Sequence, residues 1–327
     1  MMRLLKLSVI IIIIAFFFII PITVLATRVG SYEITSEAAI VIDFETGLVI
    51  YEHNADEQRV PASMAKMVAV HVVLDAIRDG FVSLDTVVEI SESTSAFSYR
   101  RAYSNVPMPL ESTYTIRELL DVIIVRSASA STIALGEAVF GSEAAMVAKM
   151  NEKAKQLGIA AEFHDSWGGS PDNRISARGM AEMTRVLLKE YPEVLEITSK
   201  KSVIFDEIPY NSTNLLVDDY YGIDGFKTGF TNPAGWCFTG TAIQNGRRLI
   251  SVTMGSMQGY RFPDSMILLD YGFANYSFTI ANHFRSAIQP SGSYKIVNST
   301  IVPISMYNIN EARYIELRDL AMILNEN

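Results

Sequence analysis

The sequence predicts an α+β fold: an antiparallel sheet formed from both ends of the domain, flanked by helices, with a helical insertion and a small C-terminal module. Three observations predict it. Strand-like segments lie near both ends of residues 31–276. The middle of that span is a succession of helical patterns. Each pair of strand-like segments is joined by tight-turn residues, so its members pair antiparallel. A chain of 327 residues, 49% hydrophobic, can form one large or two modest domains with a real core.

The elements follow in order. "AAIVIDFETGLVIYEHN" holds two apolar segments joined at Glu45-Thr46-Gly47, a β-hairpin pattern. "SMAKMVAVHVVLDAIRDG" is apolar at helical spacing and closes at Gly80. "TIRELLDVIIVRS" opens with Thr115 and Glu118, the spacing of a capping box. "STIALGEAVFG" reads as a short helix stopped at Gly141, and "SEAAMVAKMNEKAKQLG" as an amphipathic one ending at Gly158. "SARGMAEMTRVLLKEYP" is another, ended near Pro192. "GWCFTGTAIQNGRRLISVTMG" holds two strands joined at Asn245-Gly246, a strong hairpin signal. "DSMILLDYGFANY" reads as a helix packed on the sheet.

Residues 1–26 are read as a targeting segment. Arg3 and Lys6 precede an apolar run from Leu7 to Ile20, Pro21 breaks it, and Val24-Leu25-Ala26 offers small residues for cleavage. The alternative is an uncleaved membrane anchor, since the run approaches the length of a span. Either way the remainder is expected to be exported, to a bacterial cell envelope or the medium. After residue 276 the pattern changes: short strand-like pieces precede an amphipathic helix from Tyr314, a separate module over 277–327.

The net charge of −9 and a pI near 5.1, with no dense basic block, argue against a nucleic-acid partner. A single cysteine, Cys237, permits no intramolecular disulfide. His53, His71, His164 and His283 are scattered and show no metal-site spacing, so no metal or cofactor is expected.

Two short patterns carry chemistry. In "PASMAK", Ser63 and Lys66 lie three apart, on one face of a helix. A serine hydroxyl needs a base to act as a nucleophile, and a lysine serves only if burial or a second cation lowers its pKa. Taken alone, the pattern is more often a capping serine and a solvated lysine, because two fixed residues recur by chance in most chains. In "GIDGFKTGFTNPAGW", Lys227-Thr228-Gly229 sits just before a predicted strand. A lysine and a hydroxyl can hold a carboxylate, and glycine lets a substrate backbone approach.

Ser-x-x-Lys, a serine-containing loop and Lys-Thr-Gly, in that order, resemble the pattern of penicillin-binding proteins and serine β-lactamases. The stretches "AAIVIDFETGLVIYEHNADEQRVPASMAKMV", "TIRELLDVIIVRSASASTIALGE", "STNLLVDDYYGIDGFKTGFTNPAGWCFTGTA" and "RRLISVTMGS" look specifically like the low-molecular-mass D-alanyl-D-alanine carboxypeptidases. The resemblance covers about Ala38 to Tyr276 and implies the β-lactamase/transpeptidase-like fold. It implies that Ser63 is acylated by peptidoglycan stem peptides ending in D-Ala-D-Ala, and by β-lactam antibiotics, with Lys66 taking its proton. It further implies that Lys227, Thr228 and Gly229 hold the terminal carboxylate and that the N–H groups of Ser63 and Phe230 form an oxyanion hole. Arg261 either adds positive charge there or is a surface residue.

The register set by Ala134 to Glu137, "ALGE", places Ser127 at the serine of the family's Ser-x-Asn loop and Ser129 at its asparagine. Ser129 keeps a donor and an acceptor but reaches less far than an amide. Phe230 stands where histidine or tyrosine is usual, Trp167-Gly168-Gly169 replaces a His-Gly-Leu-like turn, and Gly179 replaces an aspartate. Two alternatives stay open at this point: a catalytically weakened binder of wall peptides or a protein partner, and a β-lactamase or esterase on the same scaffold. The class A β-lactamase pattern Glu-x-x-x-Asn is not found between Asn151 and Glu190. Wall or membrane association is a further expectation.

Overall fold

The computed structural model describes residues 27–30, 32–287, 291–297, 300–309 and 312–315; the expected targeting segment lies outside them. The first hairpin forms as β1 (Ala38–Asp43) and β2 (Val49–His53), paired antiparallel with Val41 opposite Tyr51. Its turn is closed by Asp43, whose carboxylate accepts from Thr46 N at 2.8 Å and Thr46 Oγ1 at 2.6 Å. Gly47 takes φ +75°, a conformation that costs glycine no steric strain.

The expected helices follow. A 3₁₀ turn (Ala62–Met64) leads into α1 (Ala65–Arg78). A short α2 (Glu92–Ser98), which no apolar period in the sequence announces, is capped by Ser91. Helix α3 (Ile116–Val125) carries the capping box: Thr115 Oγ1 accepts from Glu118 N, and Glu118 accepts from Thr115 N at 2.7 Å. Helix α4 (Ser129–Phe140) starts two residues earlier than the pattern suggested and ends on Gly141 at φ +84°. Helices α5 (Glu143–Gln156) and α6 (Ala177–Glu190) complete the helical layer.

The chain then returns to the sheet as β3 (Ile223–Thr231), β4 (Gly235–Gln244) and β5 (Arg247–Ser256). The strand order is β3-β4-β5-β1-β2, so the two ends of the domain meet where β5 pairs with β1, Val252 opposite Ile40. Helix α7 (Arg261–Ala287) packs on one face, over Ala39, Val41, Phe238 and Leu249. Ile40, Ile42, Ile250 and Val252 face the helical layer on the other side. Burial on both faces explains why β1 reads as an unbroken apolar run rather than an alternating one.

Two expectations are corrected. Lys227-Thr228-Gly229 lies inside β3, with Lys227 opposite Thr239, and not before a strand. Three glycines and two charges hide the strand period in "GIDGFKTGF"; pairing with β4 imposes it. Tyr314 lies in a strand and not at a helix start. The strands β6 (Ser291–Val297), β7 (Thr300–Ile309) and β8 (Ala312–Ile315) form a three-stranded antiparallel sheet, with Tyr314 opposite Tyr307. The rest of that expected helix, residues 316–327, lies outside the described residues. Helix α7 runs through residue 276, where the change in pattern was read. Among the described residues, no helix is long and apolar enough to cross a membrane.

Candidate active site

The cleft between β3 and the helical layer has a volume of about 530 Å³. Ser63, Ser127, Ser129, Thr228, Gly229 and Phe230 all line it, and so does Arg261. The structure therefore gathers residues that are up to 198 positions apart in the chain, from Ser63 to Arg261.

Ser63 sits in the 3₁₀ turn and Lys66 in the first turn of α1, so the spacing of three stacks them. Lys66 Nζ lies 2.9 Å from Ser63 Oγ and donates to the Trp167 carbonyl at 2.7 Å. Lys66 is fully buried, and burial lowers its pKa from 10.5 to about 7, against the opposing pull of the Asp165 carboxylate. A lysine with that pKa is partly neutral at neutral pH and can accept a proton.

Ala62, just before the serine, takes φ +48°, a strained position for a residue with a Cβ. Its surroundings hold it there. Gly168 abuts the turn so closely that a Cβ on it would lie 1.9 Å from the Ala62 carbonyl oxygen. A Cβ on Gly229 would lie 2.8 Å from Pro61 O and 3.3 Å from Ser63 N. Two glycines thus let the loop and β3 close on the serine from two sides.

Ser127 occupies the turn between α3 and α4 at φ +67° and is 3% exposed. Ser129 is the first residue of α4, and its N–H donates to the Ser104 carbonyl at 2.9 Å. Across the cleft, Lys227 is buried and donates to the Thr228 carbonyl at 3.1 Å. Burial drives its pKa well below 10.5, and the cations Lys66 and Arg261 push the same way. Thr228 Oγ1 hydrogen-bonds to Thr213 Oγ1 at 2.8 Å. Arg261 is not a plain surface residue: its guanidinium stacks on Trp236 at 4.8 Å and Phe262 at 4.7 Å and reaches the Gly229 carbonyl at 3.4 Å. Burial lowers its pKa to about 10. The site is a serine with a neutralisable base, facing a cationic wall suited to a carboxylate.

The family model for D-alanyl-D-alanine carboxypeptidase matches residues 25–258. The chain belongs to this family. The D-alanyl-D-alanine carboxypeptidase DacF of Bacillus subtilis (strain 168) is 31% identical over 74% of this chain and 63% of its own length. The chain thus spans about 63% of the length of such curated relatives. Penicillin binding protein 5 of Haemophilus influenzae superposes with a TM-score of 0.72 at 30% identity, over 76% of this chain and 73% of that one. Penicillin-binding protein D2 of Listeria monocytogenes, solved in an ampicillin-bound form, gives 0.66 at 31% identity over 75% and 100%.

Several residues of this carboxypeptidase-family site were missed in the sequence. The Asp165 carboxylate accepts from Gly168 N at 2.7 Å, Gly169 N at 2.8 Å, Ser170 N at 2.5 Å and Asn173 Nδ2 at 3.0 Å. It thereby fixes the loop that presents the Trp167 carbonyl to Lys66. An aspartate three residues before Gly-Gly is a legible signal for such a turn. Thr213 carried no signal, because only the fold brings it to Thr228. Tyr103 reaches the cleft from a loop tied to α4 by Asn105, whose Oδ1 accepts from Ala130 N at 2.8 Å.

Proposed function

We propose that the protein is a serine D,D-carboxypeptidase that removes the terminal D-alanine from peptidoglycan stem peptides. One observation carries the reading: Lys66 Nζ, buried and with its pKa brought to about 7, lies 2.9 Å from Ser63 Oγ, and Ser63 lines a cleft together with Thr228 and Gly229, with Lys227 buried behind them. Lys66 takes the hydroxyl proton as Ser63 Oγ attacks the carbonyl carbon between the two D-alanines. The Ser63 and Phe230 N–H groups receive the developing oxyanion. The C–N bond breaks, the departing D-alanine nitrogen takes a proton by way of Lys66 and Ser127, and water then cleaves the acyl ester on Ser63. Thr228, with Lys227 and Arg261 behind it, holds the carboxylate of the departing residue. β-Lactams acylate the same serine in this reading, as the ampicillin-bound Listeria relative suggests. The reading includes export to the cell envelope, supported by the pattern of residues 1–26.

Ser129 favours a second reading, a weakened relative that binds wall peptides without turnover. One experiment separates them. A fluorescent penicillin is expected to label the wild-type protein and not Ser63→Ala, while a D-Ala-D-Ala pentapeptide loses D-alanine. Labelling without peptide turnover supports the binder. Folded wild-type protein that takes no label overturns the carboxypeptidase reading.

A further inference from the structure

The protein carries a net charge of −9, yet none of the residues lining the cleft is acidic. From Ser93 to Leu110 there is no aspartate or glutamate, and the centre of that stretch is Arg100-Arg101. These two exposed arginines immediately precede Ala102 and Tyr103, which line the cleft. Stacked rings place Arg100, and Arg101 is its exposed neighbour: the Arg100 guanidinium lies 5.5 Å over Phe97, Phe97 stacks on Tyr103 at 5.3 Å, and Tyr103 meets Trp167 at 4.9 Å. Asn105 Nδ2 donates to the Phe97 carbonyl at 3.0 Å and its Oδ1 receives Ala130 N, so the lip is anchored to α4. The opposite lip, Phe230 to Trp236, holds no acid either.

In this proposal the departing carboxylate sits at Thr228 and the acyl side of the substrate passes Ala102 and Tyr103, which line the same cleft. We infer that Arg100 and Arg101 select substrates bearing a carboxylate on the acyl side of the scissile bond, over those bearing a free ammonium there. The inference rests on the carboxypeptidase reading and adds the substrate's charge class to it. A positive lip on an acidic protein concentrates attraction for anions at one place, and does so less as salt rises.

The test uses three tripeptides, Nα-acetyl-L-lysyl-D-Ala-D-Ala with the Nε amine free, acetylated or succinylated. They place a positive, neutral or negative end on the same side chain, the succinyl carboxylate reaching a few bonds further than the free ammonium. D-Alanine release is expected to fall in the order succinyl, acetyl, free amine. The extremes should differ in kcat/KM by about fivefold or more at low salt and converge at high salt. In R100E/R101E the order is expected to invert, with benzylpenicillin labelling showing that the variant is folded. A flat or opposite order in the wild type, or an unchanged order in the variant, overturns the proposal alone. If penicillin does not label Ser63 and no peptide loses D-alanine, the carboxypeptidase reading falls and takes the proposal with it.

Discussion

Lys66 decides the chemistry at the scale of single residues. Its side chain is enclosed, so the charged form loses hydration that the Trp167 carbonyl and Asp165 only partly replace, and the proton leaves near pH 7 instead of 10.5. The reacting form is the neutral amine. Acylation of Ser63 by penicillin at sub-saturating concentration is therefore expected to rise with pH and level off above about 7, with the midpoint read from a pH–rate profile. Stability follows the same linkage. The unfolded lysine keeps its proton up to 10.5 and the folded one only to about 7, so the cost of burying Lys66 falls, and stability rises, as pH rises between those values. Lys227 acts in the same direction. Ser63, Lys66, Lys227 and Thr228 were legible as candidates because their spacing carries chemistry. The lowered pKa was not, because it depends on what the fold packs around the amine.

At the scale of elements, the site is held by the loop from Asp165 to Ser170 and by the turn at Ala62. Each restrains the other: the Asp165 carboxylate gathers three N–H groups, and Gly168, at φ +84°, packs on the Ala62 carbonyl. Gly168→Ala adds a Cβ to both a left-handed backbone and an occupied space. It is expected to cost about 1–3 kcal/mol in a urea titration and to slow penicillin acylation by at least about tenfold, since the Ser63 turn must shift. Acylation at the wild-type rate in this variant would show that the turn is held elsewhere. The long helices and both hairpins were readable, because apolar period, caps and turn residues agree there. The short α2 and the start of α4 at Ser129 were not. Ser129 N donates to Ser104 O, a partner that only the folded loop supplies.

At the scale of the molecule, the sheet joins the two ends of the domain. Asp264, at the start of α7, is 1% exposed and accepts from Thr35 N, from Thr35 Oγ1 at 2.9 Å and from Ser36 Oγ at 2.6 Å. It ties the segment entering β1 to the helix leaving β5. Asp264→Ala removes the acceptor from the partly buried Thr35 donors and leaves buried Ser36 Oγ with Ser256 Oγ alone. It is expected to lower stability by about 2–5 kcal/mol, measured from the shift in urea midpoint at constant m. A loss under about 0.5 kcal/mol, the range of a neutral surface change, would show that the tie is dispensable.

By itself the sequence determined the α+β class, the building of the sheet from both ends of the domain and the placing of Ser63 and Lys66 on one face of a helix. These rest on local periods and spacings that physical chemistry restricts to few outcomes. Only the tertiary structure put Lys-Thr-Gly within an edge strand, Arg261 over Trp236, Thr213 beside Thr228 and the Trp167 carbonyl on Lys66. Each of these is a contact between segments far apart in the chain. Its existence depends on strand register and on space left by glycines, and neither has a local signature.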